Sequence, residues 1–273
     1  MLHTDVELPD LSSEYPLSDE QIQSFRENGH IYLPQVCSPE EVEAYRKVIT
    51  ETAQENFTET RAIEDRDAYG KAFLQTLNLR LKSEGVKQFV LARRFAGIVS
   101  RLLGEDRIRI YHEQALFKEP GGAHSPLHQD QYYWPIATNQ AVGLWMPLID
   151  VSLDMGPILF ASGSQVEGFA GQHAISDDSQ DVFQDKIDEK GYPIWQQAMK
   201  AGDATFHLGW TIHGASANNS DKMREAMIVT YYPDGTKVDE LSNESRINDA
   251  KHFLGGKQPG ALADSELNTV VYP

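Results

Sequence analysis

Near residue 105 the hydrophobic period of the chain changes, and no other feature restricts its possible folds as much. Before that point, apolar residues recur at helical spacing. "PLSDEQIQSFRENG" (16–29) predicts a helix with Ser18 as N-cap, Gln21 three residues on and Gly29 as the stop. "HIYLP" (30–34) reads as a short extended piece. "SPEEVEAYRKVITETAQEN" (38–56) predicts a second helix, capped by Ser38, with Pro39 at its first position and acids in its first turn. Helical patterns return over about 71–83 and about 86–104, ending near Gly104. Beyond 105 the runs are short and rich in β-formers: "DRIRIYHEQALFK" (106–118), "AVGLWMPLID" (141–150), "GPILFAS" (156–162), "GDATFHLGWTIHGA" (202–215) and "REAMIVTYYP" (224–233). Turn residues such as "EPGG", "DMG", "SGS", "NNSD" and "PDG" separate them. This order predicts a mainly β fold, an antiparallel barrel or jelly roll, with a helical wrap.

No composition break divides the chain, so one domain over 1–273 is expected: a mostly helical 1–105, a core over 106–235, and a polar tail over 236–273 to which no element is assigned. The segment 166–200 interrupts the strands. It reads as a lid or insertion, with a helical "YPIWQQAMKAG" near its end.

With 273 residues, 40% of them hydrophobic and 10% aromatic, the chain can bury a substantial core. Its formal charge of −17 repels nucleic acid and anionic lipid, favours solubility and says little about a substrate. No apolar run is long enough to span a membrane. The acidic start lacks the basic and apolar regions of a signal peptide. Cys37 is the only cysteine, so an internal disulfide and a thiolate metal cluster are both excluded. A buried Cys37 and a reducing cytoplasm are expected.

His-x-Asp occurs twice among the 9 histidines, at His3 and Asp5 and again at His128 and Asp130. Chance alone allows that number, so context decides. The first copy sits in a polar stretch without strand signal. The second lies in "PLHQDQYYWP" (126–135). If that stretch is extended, both side chains leave the same face with Cα atoms about 7 Å apart, close enough to converge on one ion. In "FHLGWTIH" (206–213) strict alternation predicts one strand, with His207 and His213 together on its polar face. His213 would complete two imidazoles and a carboxylate. That set suits non-haem iron(II) with three positions open, and zinc also accepts it. Arg224 opens the next strand, where its guanidinium can grip a carboxylate through two hydrogen bonds.

Taken together, these segments resemble the phytanoyl-CoA dioxygenase family of iron(II)- and 2-oxoglutarate-dependent oxygenases, from about residue 17 to 233. The resemblance rests on "LSDEQIQSFRENGHIYLPQVCSPEEVEAYR", "LFKEPGGAHSPLHQD", "LWMPLIDVSLDMGPILFASGSQ" and "GDATFHLGWTIHGASAN". It implies a double-stranded β-helix (jelly-roll) core, with Fe(II), 2-oxoglutarate and O2 as cofactor and co-substrates. It implies His128, Asp130 and His213 as metal ligands, and Arg224 as the partner of the distal 2-oxoglutarate carboxylate. Lys118 and Trp145 fall where relatives place groups around the co-substrate. Many relatives carry a hydroxyl two residues after the distal histidine; this chain has Ala215 there, which brings Thr211 forward in its place. Gln165 also stands where the family more often has histidine. Halogenating relatives replace the ligand carboxylate with a small residue, so the presence of Asp130 points to hydroxylation with release of succinate and CO2. Gln114, Tyr132, Tyr133 and Trp134 are expected around a small-molecule substrate. Two other readings are a zinc- or manganese-dependent cupin-like isomerase or hydrolase, and a jelly-roll binding module without catalysis.

Overall fold

The computed structural model describes residues 7–66, 68–171 and 173–273; His3 and Asp5 lie outside them. The first two helices form as their caps dictate. Ser18 and Gln21 close a capping box at the start of α1 (Asp19–Asn28), and Gly29 ends it at a φ of 73°. After β1 (His30–Leu33), Ser38 and Glu41 do the same for α2 (Pro39–Gln54).

The next segment departs from the expected helices. The stretch 71–83 holds the end of α3 (Ala68–Ala72) and then a strand, β2 (Leu74–Leu77). The pattern over 86–104 divides into α4 (Glu84–Val90) and α5 (Arg93–Leu103). Apolar residues in "KAFLQTLNLRLK" suit either period, and β2 is extended because β3 (Ile108–Lys118) offers it an edge, pairing Leu74–Leu77 with Phe117–Gln114.

The remaining elements are β4 (Ser125–His128), β5 (Val142–Pro147), β6 (Ile158–Ala161), α6 (Asp177–Lys190), β7 (Ile194–Trp195), β8 (Ala204–Leu208), β9 (His213–Ala215), β10 (Arg224–Pro233), α7 (Glu244–Phe253) and β11 (Val270–Tyr272). They make two antiparallel sheets of a jelly-roll core. The larger runs β1-β8-β5-β10-β3-β11, with β2 also on β3; the smaller runs β4-β9-β6-β7. The outer face of the larger sheet and the amino-terminal helices share one apolar cluster, including Phe25, Tyr45, Phe89, Phe95, Phe206 and Val229. Its inner face carries the alternate residues: His112, Gln114 and Leu116 of β3, Trp145 of β5, and Arg224 and Ile228 of β10.

Three further expectations change. The run 206–213 is not one strand. Thr211 N–H donates to the Leu208 carbonyl at 2.9 Å, and this turn hands the chain from β8 in the large sheet to β9 in the small one. Gly209 makes the turn possible, since a Cβ there would lie 2.7 Å from Gln131 Oε1 and 2.8 Å from the Trp134 ring. In the insertion, the helix is Asp177–Lys190 rather than 192–202. Phe183 and Ile187 of α6 pack on Leu127, and Ile194–Trp195 becomes an edge strand on β6. The tail contributes α7 and β11.

Candidate active site

The two sheets face each other across a cavity of about 370 Å³. Each ligand candidate reaches it from a different piece of backbone. His128 ends β4, and His213 begins the neighbouring β9, directly opposite it in register. Asp130 follows one extended residue, Gln129 at φ −121° and ψ 121°, and opens a 3-10 turn, Asp130–Tyr132. His128 Nε2 lies 3.5 Å from Asp130 Oδ1, and His213 Nε2 lies 3.6 Å from Oδ2. Donor atoms of the three residues all fall within 4.8 Å of one another. His128 Nδ1 is 2.7 Å from the Pro126 carbonyl, and His213 Nδ1 is 3.0 Å from that of Thr211. Each carbonyl therefore takes the Nδ1 proton, leaving the Nε2 lone pair turned into the group. That donor set fits a divalent ion. Burial opposes charge on Asp130, yet His213, His128 and His207 around it hold its carboxyl well below the usual range.

His207 also belongs to this centre. From β8 its Nε2–H donates to Asp130 Oδ2 at 3.2 Å, and its Nδ1 has no partner. Gly143, opposite it on β5, leaves room for the ring: a Cβ there would come within 2.6 Å of it. The alternation in 206–213 already placed His207 beside His213. The turn between their strands keeps both aimed at one point from facing sheets.

At the deep end Arg224 is 1% exposed. Nη1 donates to the Gly156 carbonyl at 2.6 Å, Nε has no partner, and no carboxylate pairs with it among the described residues. Burial lowers its pKa to about 10. Its guanidinium lies 5.5 Å from the Trp145 ring centroid and 6.0 Å from that of Phe73. Trp145 lines the cavity as well.

Lys118 is Arg224's cross-strand partner, but it is not among the residues that line the cavity, and its Nζ is taken up behind Ser125 and Phe73. It donates to Ala123 and Ser216 carbonyls at 2.6 and 3.0 Å and to Ser125 Oγ at 3.3 Å. Burial, then the charge of Arg224, lowers its pKa to about 6. Thr211 is not at the site. Its hydroxyl donates to the Gly29 carbonyl at 2.8 Å, where it ties the turn to α1. Ser125 lines the cavity instead, and it is the cross-strand partner of Ala215.

At the outer end Gln114 and Trp134 line the cavity, while Tyr132 does not. The 3-10 turn explains the correction: its period of three puts Tyr133, not Tyr132, on the side of Asp130. Tyr69, His112, Asp249 and Phe253 complete this end and went unrecognised in the sequence.

The phytanoyl-CoA dioxygenase family description matches residues 25–226. Among curated proteins, a 2-aminoethylphosphonate dioxygenase from an uncultured bacterium is 27% identical over 149 residues; the match spans about half of each chain, 54% of both. The methylphosphonate hydroxylase of Gimesia maris is 22% identical over 218 residues, covering 79% of this chain and 80% of that protein. Among solved structures, the non-haem α-ketoglutarate-dependent carbocyclase SnoK from nogalamycin biosynthesis superposes with a TM-score of 0.77 at 25% identity, over 97% of this chain and 99% of that one.

Proposed function

This chain belongs to the phytanoyl-CoA dioxygenase family of non-haem iron(II)- and 2-oxoglutarate-dependent oxygenases, and from that premise we propose that it hydroxylates a C–H bond of a small metabolite. The observation that carries the reading is the pairing of two features in one cavity. One is a His-Asp-His donor set. The other is a fully buried guanidinium with no carboxylate paired to it among the described residues. A zinc hydrolase or isomerase needs the first; a carboxylate-bearing co-substrate such as 2-oxoglutarate gives the second a partner.

When bound, iron(II) with 2-oxoglutarate and O2 supplies the oxidation of the C–H bond, coupled to release of succinate and CO2. The residues do the placing. His128 and His213 offer Nε2, and Asp130 offers an oxygen while His207 holds Oδ2. Arg224 takes the distal carboxylate of 2-oxoglutarate. Burial makes that ion pair stronger than it would be in water. Trp145 and Phe73 keep water from the guanidinium. Ser125 offers a hydroxyl across the β4–β9 pair from Ala215, a role the sequence reading gave to Thr211. Lys118 keeps the 123–125 and 216 backbone in place behind Arg224. Gln114, Tyr133 and Trp134 face the substrate.

Asp130 fills the position that a halide would need, which favours hydroxylation. Two curated relatives are named for phosphonates. In this chain Arg224 is the one lysine or arginine among the described lining residues, and the co-substrate claims it, so a phosphonate dianion has no evident partner. No helix among the described residues is long and apolar enough to cross a membrane. The thiol of Cys37 is buried and pushed up to about 12 by that burial, which suits a reducing cytoplasm.

The test adds iron(II) and 2-oxoglutarate to the protein under argon. A weak visible charge-transfer absorbance, absent with zinc, is expected for keto-acid chelation of iron(II) at this ligand set. In air, succinate should form and Arg224→Met should need far more 2-oxoglutarate. An absent band, with zinc-supported activity instead, overturns the reading.

A further inference from the structure

We infer that Asp249 is the recognition group for a cationic nitrogen of the substrate, which enters the outer chamber between this carboxylate and an aromatic wall. The inference rests on the reading of the cavity as the substrate site and adds the chemical class that the site takes.

Asp249 lies on α7, beyond the residues that the family description matches. Arg246, Asp249 and Phe253 stand at helical spacing, so one face of α7 meets the cavity mouth. Arg246 fastens that face. It donates to the Gln131 and Tyr132 carbonyls at 3.1 Å each, and to Asp239 at 2.9 Å and the Glu240 carbonyl at 3.1 Å. Those carbonyls belong to the turn that carries Asp130, so α7 is registered on the metal-binding backbone itself. Arg246 is thereby engaged elsewhere, and no lysine or arginine forms a salt bridge with Asp249 among the described residues. The Tyr111 hydroxyl donates to Oδ2 at 2.9 Å and orients the carboxyl.

The wall around it is aromatic. Trp134, Tyr133, Tyr69 and Phe253 line the chamber with His112. The His112 ring centroid lies 4.8 Å from that of Phe253 and 6.3 Å from that of Trp134. Burial pushes His112 down to about 4, so this imidazole is neutral near pH 7. Asp249 is pushed up to about 7, by burial first and then by the charge of Asp130. A half-buried carboxyl that has no salt-bridge partner among the described residues, with Arg246 acting on it only at a distance, is satisfied by an incoming cation, and ring faces add their own attraction for it. An anionic group would meet the carboxylate of Asp249 at this end of the cavity, with Arg246 held to other partners.

Isothermal titration calorimetry decides the matter with n-butylammonium, butyrate and propylphosphonate as probes. Each is titrated into the metal-free protein and into the Fe(II)–2-oxoglutarate complex under argon. The ammonium probe should bind at least about tenfold more tightly than either anion. Asp249→Asn should remove that preference, Asp249→Glu should retain part of it, and both should keep their affinity for 2-oxoglutarate. Equal or tighter binding of the anions, no binding of the ammonium at tens of millimolar, or an unchanged preference in Asp249→Asn overturns the inference. Loss of the metal–2-oxoglutarate absorbance in the wild type would instead count against the oxygenase reading, and the titration of metal-free protein would still decide Asp249.

Discussion

The two ends of the cavity are built by different means. The deep end is framed by strands. Arg224 is held in register against Lys118 of β3, and two residues further along β10 Ala226 pairs with both β3 and β5, so ladder hydrogen bonds fix where its guanidinium points. The outer end is framed by a 3-10 turn, β2 and α7, and it is secured by single side chains such as Arg246 on the Gln131 and Tyr132 carbonyls. A ladder cannot shift one residue without reversing which face each side chain takes. A helix held by side chains, such as Arg246, the Tyr111–Asp249 bond and the packing of Phe253, carries no such register. The strand-built end therefore suits an invariant co-substrate, and the helix-built end suits a substrate that sets this protein apart.

That contrast can be broken in order of expected effect. At the deep end, His213→Ala should abolish turnover and weaken metal binding by more than about 100-fold, because even the partners behind metal ligands contribute 10- to 100-fold; equilibrium dialysis reads it. Arg224→Met should raise the KM for 2-oxoglutarate by about 100-fold or more, the scale for losing one side of a buried ion pair. Steady-state kinetics that leave KM unchanged would remove Arg224 from the co-substrate. His207→Ala should lower metal affinity by about 10-fold through the freed oxygen of Asp130, with little change in thermal unfolding of the metal-free protein.

At the outer end the effects are smaller and fade as pH falls. Asp249 faces Tyr111 from β3, Tyr133 and Asp130 from the turn region, and Arg246 on its own helix. Its pKa in the folded protein is raised from 3.8 to about 7. The folded state therefore keeps a proton that the unfolded chain releases between those values. Stability from this group is full below about 4 and is lost as pH rises through about 7. Asp249→Asn should be more stable than wild type by about 1–2 kcal/mol at pH 8 and equal to it at pH 4, read by urea unfolding. A site kept at a cost in stability is what a binding role predicts. Smallest of all, Thr211→Val should cost about 1 kcal/mol by removing its bond to the Gly29 carbonyl, with no change in the KM for 2-oxoglutarate.

Local signals made much of this legible. The capping boxes at Ser18 and Ser38 and the stop at Gly29 announced α1 and α2, because a helix end is satisfied by residues within one turn of it. The long alternating runs announced β3 and β10 almost to the residue. His128, Asp130, His213 and Arg224 stood out by residue type and order, and they do share one cavity. The misreadings have a common cause. Alternation in 206–213 continues through the turn at Gly209, so one strand and two strands look alike. "YPIWQQAMKAG" has helical composition, but β6 had a free edge for Ile194–Trp195. Tyr132 left the cavity while Tyr133 stayed in it because a tight turn replaced the strand beyond Gln129.

The order of residues by itself determined the helical wrap, the β core and the four side chains, His128, Asp130, His213 and Arg224, that meet in one cavity, since each of those depends on period, caps or residue type. Only the tertiary structure decided that β8 and β9 lie in opposite sheets, that His207 steadies Asp130, and that the polar tail returns as α7 to bring Asp249 and Phe253 over the cavity. The physical reason is distance along the chain. Contacts such as Arg246 with Gln131, more than a hundred residues apart, leave no mark in any local pattern and arise only once both partners have been packed against the same sheet.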